Sequence, residues 1–276
     1  MCTNLFAFRR KLSTTIKKNV IIISAICIVP FIAFWIGCQR VESFSWKEVY
    51  ILPTYGSINY FADEKCIINL GLMTRKKHEA AFLSSFESVN EIATDVSSLY
   101  IIPQTIGVSA KNADYTCYTL VAELRFSILP ETYKTIEKLY VNGQEFALGS
   151  LGVVPFKTRA RPLNFKIVRA SGTVSGLGIA PYSAEFKVTG QDVTLNEILV
   201  PAYSDAHAVI TRNNDTIDLN INFSSAEEVV IFYISPIIKY NEDDEVKEYP
   251  LDYFTCGVFL SEEDVSKIGM IVGIKE

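Results

Sequence analysis

Between Lys18 and Arg40 the chain carries no charged residue. Residues 20–38 read VIIISAICIVPFIAFWIGC, with only Ser24 and Pro30 interrupting the apolar run. At about 1.5 Å per residue such a stretch spans about 28 Å as a helix, close to the hydrocarbon thickness of a bilayer. The flanks are polarised. Arg9, Arg10, Lys11, Lys17, Lys18 and Arg40 lie within the first 40 residues, where there is no Asp or Glu. Removing those six from the chain's 26 lysines and arginines leaves 20 against 31 acidic residues, a formal balance of about −11 for the remainder. Basic residues before the run and Trp35 near its far end predict a cytoplasmic N-terminus, with everything beyond about residue 40 on the other side of the membrane. A buried core helix would not need so long a charge-free stretch.

The run ends Trp35-Ile36-Gly37-Cys38, which resembles the lipobox of bacterial lipoproteins. In that class small residues precede a cysteine that receives the lipid and becomes the new N-terminus. The resemblance covers only the first forty residues, and it implies a bacterial envelope protein with Cys38 as the lipid attachment site. Gly37-Cys38 fits the pattern, whereas Trp35 and Ile36 stand where Leu and a small residue are usual. The long basic segment before the run fits an uncleaved signal anchor equally well. Either alternative holds the protein on the extracytoplasmic face, at the cell surface or in the periplasm.

Beyond residue 40 the periodicity of apolar residues is mostly two. Ile217, Leu219, Ile221 and Phe223 alternate with Asp218, Asn220 and Asn222, as in a strand with one buried and one wet face. With Ala208-Val209-Ile210-Thr211 ahead of it, this segment predicts a hairpin turning at Asn213-Asn214-Asp215. A second hairpin is expected around Asn142-Gly143, because that dipeptide suits the positive-φ positions of a type I′ turn. A third is expected at Gly190-Gln191, between Phe186-Lys187-Val188 and Val193-Thr194-Leu195. Further strands are expected at 49–52, 67–72, 99–102, 115–126, 164–168 and 229–234. Phe82, Phe86 and Val89 sit at i, i+4 and i+7, which predicts a helix over 78–89. Ser261-Glu262-Glu263-Asp264 predicts a capped short helix ending at Gly269, before a last strand at 270–274.

The fold class is therefore mainly β: an N-terminal transmembrane or signal helix, then one or two antiparallel β-sandwich modules of immunoglobulin-like kind. The proline-bounded basic stretch 155–162 is the expected linker. It divides the chain into an anchor at 1–40, a first module at 41–154 and a second at 163–276. A faint echo between 136–146 and 237–249 supports two related halves; chance likeness between hairpins is the alternative.

Residues suited to chemistry are sparse. His78-Glu79-Ala80-Ala81-Phe82 begins like a zinc-protease helix, but Phe82 stands where the second metal-binding His is needed. His78 is expected to be a solvated helix start and His207 to be structural. Gly149-Ser150-Leu151-Gly152 has the wrong spacing for a nucleophile elbow, so its glycines are expected to release strands into turns. Asn241-Glu242-Asp243-Asp244-Glu245 lacks the alternation of a calcium loop and is expected to be a solvated hairpin turn. Of the six cysteines, Cys66, Cys117 and Cys256 lie beyond the anchor. They are expected to be small buried hydrophobes, with a Cys66–Cys117 bridge as the alternative. Tyr50, Tyr55, Tyr60, Tyr249 and Tyr253 are expected on cross-strand pairs, with a sugar-binding surface as the alternative.

These readings assign no catalytic residue, no metal ligand and no cofactor. They point to a non-enzymatic binding or accessory protein of the cell envelope, held to the membrane through residues 20–38, whose partner is an envelope protein or a glycan. A solute- or glycan-binding lipoprotein is the alternative, and an envelope hydrolase a more distant one. The acidic balance argues against a nucleic-acid partner.

Overall fold

A computed structural model describes residues 44–159, 165–172, 182–188, 194–202, 206–213, 216–223, 231–242, 245–256 and 260–271. The chain divides into a unit of Met1–Phe44, of which only Phe44 is described, and a unit of Ser45–Glu276. The second unit is mainly β.

In chain order its strands begin with β1 (Val49–Ile51), β2 (Thr54–Phe61), β3 (Cys66–Arg75), β4 (Ile92–Thr94) and β5 (Leu99–Lys111). Next come β6 (Tyr115–Phe126), β7 (Lys134–Val141), β8 (Gln144–Phe156), β9 (Phe165–Gly172), β10 (Tyr182–Val188) and β11 (Thr194–Leu199). The set closes with β12 (Ala206–Asn213), β13 (Thr216–Phe223), β14 (Ile231–Ile234), β15 (Ile237–Glu242), β16 (Glu245–Pro250) and β17 (Phe254–Cys256). Two α-helices, α1 (Glu79–Phe86) and α2 (Glu262–Ile271), are described with them.

The main sheet has ten strands in the order β1-β3-β6-β5-β4-β7-β8-β2-β14-β17. It cannot be flat. The edge strand β1 and the eighth-placed β2 are joined only by Leu52 and Pro53. Seven inter-strand spacings would separate them by about 34 Å in a flat sheet, far beyond the reach of two residues. The sheet therefore curls until β3 faces β14. Tyr233 of β14 ties the two: its hydroxyl donates to Asn69 O at 2.7 Å and accepts from Asn69 N–H at 2.6 Å. Inside the curl lie Ile58, Ile68, Leu70, Leu120, Ala122, Leu151 and Val153, all essentially inaccessible to solvent.

The expectation of a purely antiparallel architecture is corrected. β2 pairs in parallel with β8 on one side and with β14 on the other. Both strands also lack the alternation that marks a strand with one wet face. Six consecutive residues of β2, Gly56–Phe61, are buried, and so are all four of β14. Covering both faces removes the selection for polar residues at every second position.

Several local expectations hold. Asn142 and Gly143 have φ of 49° and 79° and join β7 to β8 as a tight hairpin. β12 and β13 pair from Asn213↔Thr216 to Ala206↔Phe223. Helix α1 buries Phe82 and Phe86 as the spacing requires. The predicted cap on α2 is a reciprocal one: Asp264 N–H donates to Ser261 Oγ at 3.2 Å, and Ser261 N–H donates to Asp264 Oδ2 at 2.7 Å.

Others do not. The hairpin expected at Gly190-Gln191 is not formed, since β10 pairs with β9 and β13 while β11 pairs with β15 in a different sheet. Gly269 does not stop α2, which runs on through Met270 and Ile271 where a strand was expected. Gly149 and Gly152 lie inside β8 rather than at turns. Gly149 has φ of +117°, and a Cβ there would come within 2.5 Å of Thr54 O on β2. Its absence permits close approach of two backbones.

The stretch expected to link two modules begins within β8, where Pro155 and Phe156 pair with Tyr60 and Phe61. Residues 160–164 lie outside the described set. β14, from beyond that stretch, completes the sheet built by residues before it.

Candidate functional site

The carboxyl end of β2, the turn after it and the exit of β8 meet the segment between β16 and β17. A cavity of about 420 Å³ opens there, lined by Asn59, Phe61, Glu64, Lys65, Cys66, Ile67, Arg159, Asp252 and Tyr253. Arg159 is its organising residue. Its Nε and Nη2 donate to Glu64 Oε1 and Oε2 at 3.0 and 2.9 Å, a two-pronged pairing. Nη2 also lies 2.6 Å from Asp252 Oδ1. The guanidinium carbon sits 4.3 Å from the centre of the Phe61 ring, which stacks on Phe156 at 5.6 Å. Three chain segments far apart in sequence are thus joined through one cation. With Glu64 and Asp252 against Arg159 and Lys65, the lining carries equal numbers of acidic and basic side chains.

Asn59 lies deeper, with only 2% of its surface exposed. Its side-chain amide donates to Leu251 O at 2.9 Å and Pro236 O at 3.3 Å, and its backbone N–H donates to Ser235 Oγ at 3.1 Å. Asn59 Oδ1 has no hydrogen-bond partner among the described residues. A buried carbonyl without a donor is costly, so this atom is suited to accept from a small polar molecule or water. Tyr253 packs against Tyr233 at 5.6 Å, and burial pushes its hydroxyl above the usual tyrosine range.

Cys66 lines the same cavity, and burial pushes its thiol up to about 12, with the charge of Glu123 adding to the effect. A protonated thiol is a poor nucleophile. Cys117 is likewise pushed up to about 12 by burial. Both are free. The alternative of a Cys66–Cys117 bridge is excluded by register. Cys117 faces Met73, seven residues along β3 from Cys66, or about 23 Å, whereas a disulfide needs Cα atoms within about 7 Å. Cys256 occupies the end of β17, paired with Phe232.

His78 is not solvated as expected. It is 3% exposed, at the junction into α1, with Nε2 3.2 Å from Glu48 Oε2. Trp46, three residues from the first strand, closes over this corner and packs on Phe82 and Phe86 at ring separations of 6.1 and 6.2 Å. His207 lies on β12 opposite Asn222. β15 and β16 pair from Ile237↔Pro250 to Glu242↔Glu245, with Asp243 and Asp244 of the expected hairpin turn outside the described residues, and Asn241 Oδ1 accepts from Asn196 at 2.7 Å. Among the described residues no cluster of His, Cys, Asp and Glu is arranged to hold a metal ion. Tyr60 and Tyr249 are buried, Tyr60 edge-on to Phe126 at 4.9 Å. Cys38 and the apolar run lie outside the described residues; among those described, no helix is long and apolar enough to cross a membrane.

The sequence reading singled out neither Asn59 nor the Arg159 cluster. A polar residue amid the apolar stretch Gly56–Phe61 was the available signal for Asn59. Arg159 lay hidden in what reads as a linker.

No family model matches the chain, and no curated protein does. Among solved structures, similarity is found to an Escherichia coli adhesin, FdeC, at 8% identity and a TM-score of 0.21, covering 74% of this chain and 63% of that one. Zebrafish RET cadherin-like domains 1 to 4 match at 13% identity and a TM-score of 0.21, covering 74% and 50%. The chain thus spans less than two thirds of either, and similarity at this level carries no argument about fold or function.

Proposed function

We propose that the protein is a non-enzymatic binding or accessory component of the bacterial cell envelope, a curled β-sandwich of immunoglobulin-like kind held on the extracytoplasmic face of a membrane. One observation carries the reading. A charge-free run of membrane-spanning length, preceded by charged residues that are all basic, is followed within a few positions of sequence by a β-structured unit beginning at Ser45. The protonated thiols of Cys66 and Cys117 and the burial of His78 against Glu48 support a binding rather than a catalytic role. An envelope protein or glycan is the partner this reading expects.

Intact-protein mass spectrometry of membrane-extracted full-length chain tests how it is held. A lipidated Cys38 gives a mature chain beginning at that cysteine with its acyl groups, and Cys38→Ala then leaves the full-length precursor. A plain signal anchor gives the whole-chain mass in both. Recovery of the wild-type chain in the soluble fraction, without any membrane-bound form, overturns the anchoring itself.

The cavity favours a second reading, a solute- or glycan-binding lipoprotein. Its balanced charges and the Asn59 carbonyl suit a neutral, hydroxyl-rich molecule better than an ion. Saturation-transfer NMR against neutral mono- and disaccharides tests it. Transfer that disappears in Asn59→Leu supports the cavity as the site, and no transfer to any sugar removes this reading.

A further inference from the structure

The seam where β3 faces β14 is closed at one residue of β3 and open two residues earlier. β3 pairs with β6 along its whole length, from Cys66↔Leu124 to Arg75↔Tyr115, with no shift of register. In such a pair alternate residues turn their backbone N–H and C=O toward the partner strand, and those between turn theirs to the opposite edge. Two contacts identify the outward-facing set. Asn69 N–H and C=O both meet the Tyr233 hydroxyl, and Gly71 O accepts from Leu52 N–H at 2.9 Å. Ile67, two residues before Asn69, belongs to the same set. β1 pairs only with Leu72, Met73 and Thr74. Among the described residues, no strand pairs with this edge at Ile67.

Ile67 lines the cavity of about 420 Å³ together with Asn59, Cys66 and Tyr253. Tyr253 packs against Tyr233 at 5.6 Å, so the cavity lies on the Tyr233 side of β3, the side to which Ile67 N–H and C=O point. Asn69 demonstrates what this edge accepts. A hydroxyl carries both a donor hydrogen and acceptor lone pairs, so one hydroxyl serves the N–H and the C=O of a single residue. Strand addition by a peptide needs a run of such positions. Here Asn69 is already served and β3 begins at Cys66, which leaves Ile67 as the open position between them. A hydroxyl needs only one. Equal numbers of acidic and basic side chains line the cavity, and a neutral ligand leaves that balance undisturbed.

We propose that the main-chain N–H and C=O of Ile67 hold one hydroxyl of a neutral sugar bound in this cavity, as Asn69 holds the hydroxyl of Tyr233. This rests on the second reading above, in which the cavity takes a hydroxyl-rich solute, and it assigns the contact that fixes that solute to the edge of β3 rather than to a side chain. A hydroxyl replaces solvent at this position without loss of hydrogen bonds. A ligand group unable both to give and to accept leaves one of the two backbone groups unserved.

The test uses the full-length chain in phosphatidylcholine nanodiscs, with residue-resolved hydrogen exchange read by mass spectrometry. Without ligand, the Asn69 amide exchanges slowly and the Ile67 amide roughly tenfold faster or more, and Tyr233→Phe raises Asn69 toward the rate of Ile67. Equal protection of the two amides in the unliganded chain means the edge is not open and overturns the proposal. The probes are neutral mono- and disaccharides, glucose, galactose and N-acetylglucosamine among them. The sugar that binds slows Ile67 exchange roughly tenfold. Ile67→Pro removes the edge N–H but no bond to β6 and weakens that sugar roughly tenfold, whereas Ile67→Ala holds it within about twofold. Equal losses in the two variants mean a side-chain contact and overturn the proposal. If Ile67→Pro does not fold, the protection of Ile67 in the wild type decides alone. A sugar whose binding is lost in Asn59→Leu but which leaves Ile67 exchange unchanged overturns this inference and leaves the cavity reading standing. Protection of Ile67 by an alternating Thr-Val peptide, and by no sugar, overturns it in favour of strand addition. No binding of any sugar removes the cavity reading and this inference with it.

Discussion

Tyr233 shows how much of this fold rests on single side chains. Fully buried, it closes the curl by giving and receiving a hydrogen bond at Asn69, and burial holds its hydroxyl well above the usual tyrosine range. Tyr233→Phe removes both bonds and leaves the Asn69 amide and carbonyl to find new partners. Chemical denaturation should show a loss of about 1–3 kcal/mol. Gly149→Ala is expected to cost at least a similar amount, about 1–3 kcal/mol from the left-handed backbone alone, before the clash with Thr54 O. The cysteines give a test with a defined sign. Cys66 and Cys117 titrate near 12 in the fold and near 8.5 when unfolded, so the fold favours their protonated form. Their contribution is fully present below about pH 8.5 and is lost as pH rises through about 12. Iodoacetamide at pH 8 should therefore leave both unmodified in the folded chain and alkylate both in denaturant. Rapid modification without denaturant would contradict the burial described here.

At the scale of elements, β2 and β14 are the junction on which the architecture depends. A fragment of residues 41–154 retains β2 but loses the whole partner edge supplied by β14, together with Tyr233 and the Ser235–Pro236 groups that satisfy Asn59. It is expected to give no cooperative thermal transition by circular dichroism, whereas the chain from residue 42 onward gives one with a β-type spectrum. How legible these elements were follows from where their information lies. The Asn142-Gly143 hairpin and the alternation of β13 were readable because local chemistry specifies both. β2 was harder: with parallel neighbours and both faces covered, its pattern says buried but not beside what. Gly149 and Gly152 read as turn residues in sequence because a tight turn and a close backbone approach make the same demand, a missing Cβ. The Gly190-Gln191 signal is also local, and it cannot say that β10 and β11 belong to different sheets. The Arg159 cluster was illegible for a related reason. Its partners, Glu64 and Asp252, lie 95 and 93 positions away in opposite directions, and no spacing rule connects them.

For the whole molecule, the proposed function joins two features of the chain: a charge-free run of membrane-spanning length within the first forty residues, and a mainly β unit from Ser45 onward. All of this stands on which side of the membrane the body lies. The most direct measurement is labelling of lysines by a membrane-impermeant amine-reactive reagent on intact spheroplasts expressing the full-length chain, read by mass spectrometry. The account predicts that Lys65, Lys134 and Lys138 are labelled before lysis to the same extent as after it. Labelling of these lysines only after the membrane is broken would place the body in the cytoplasm and contradict the account.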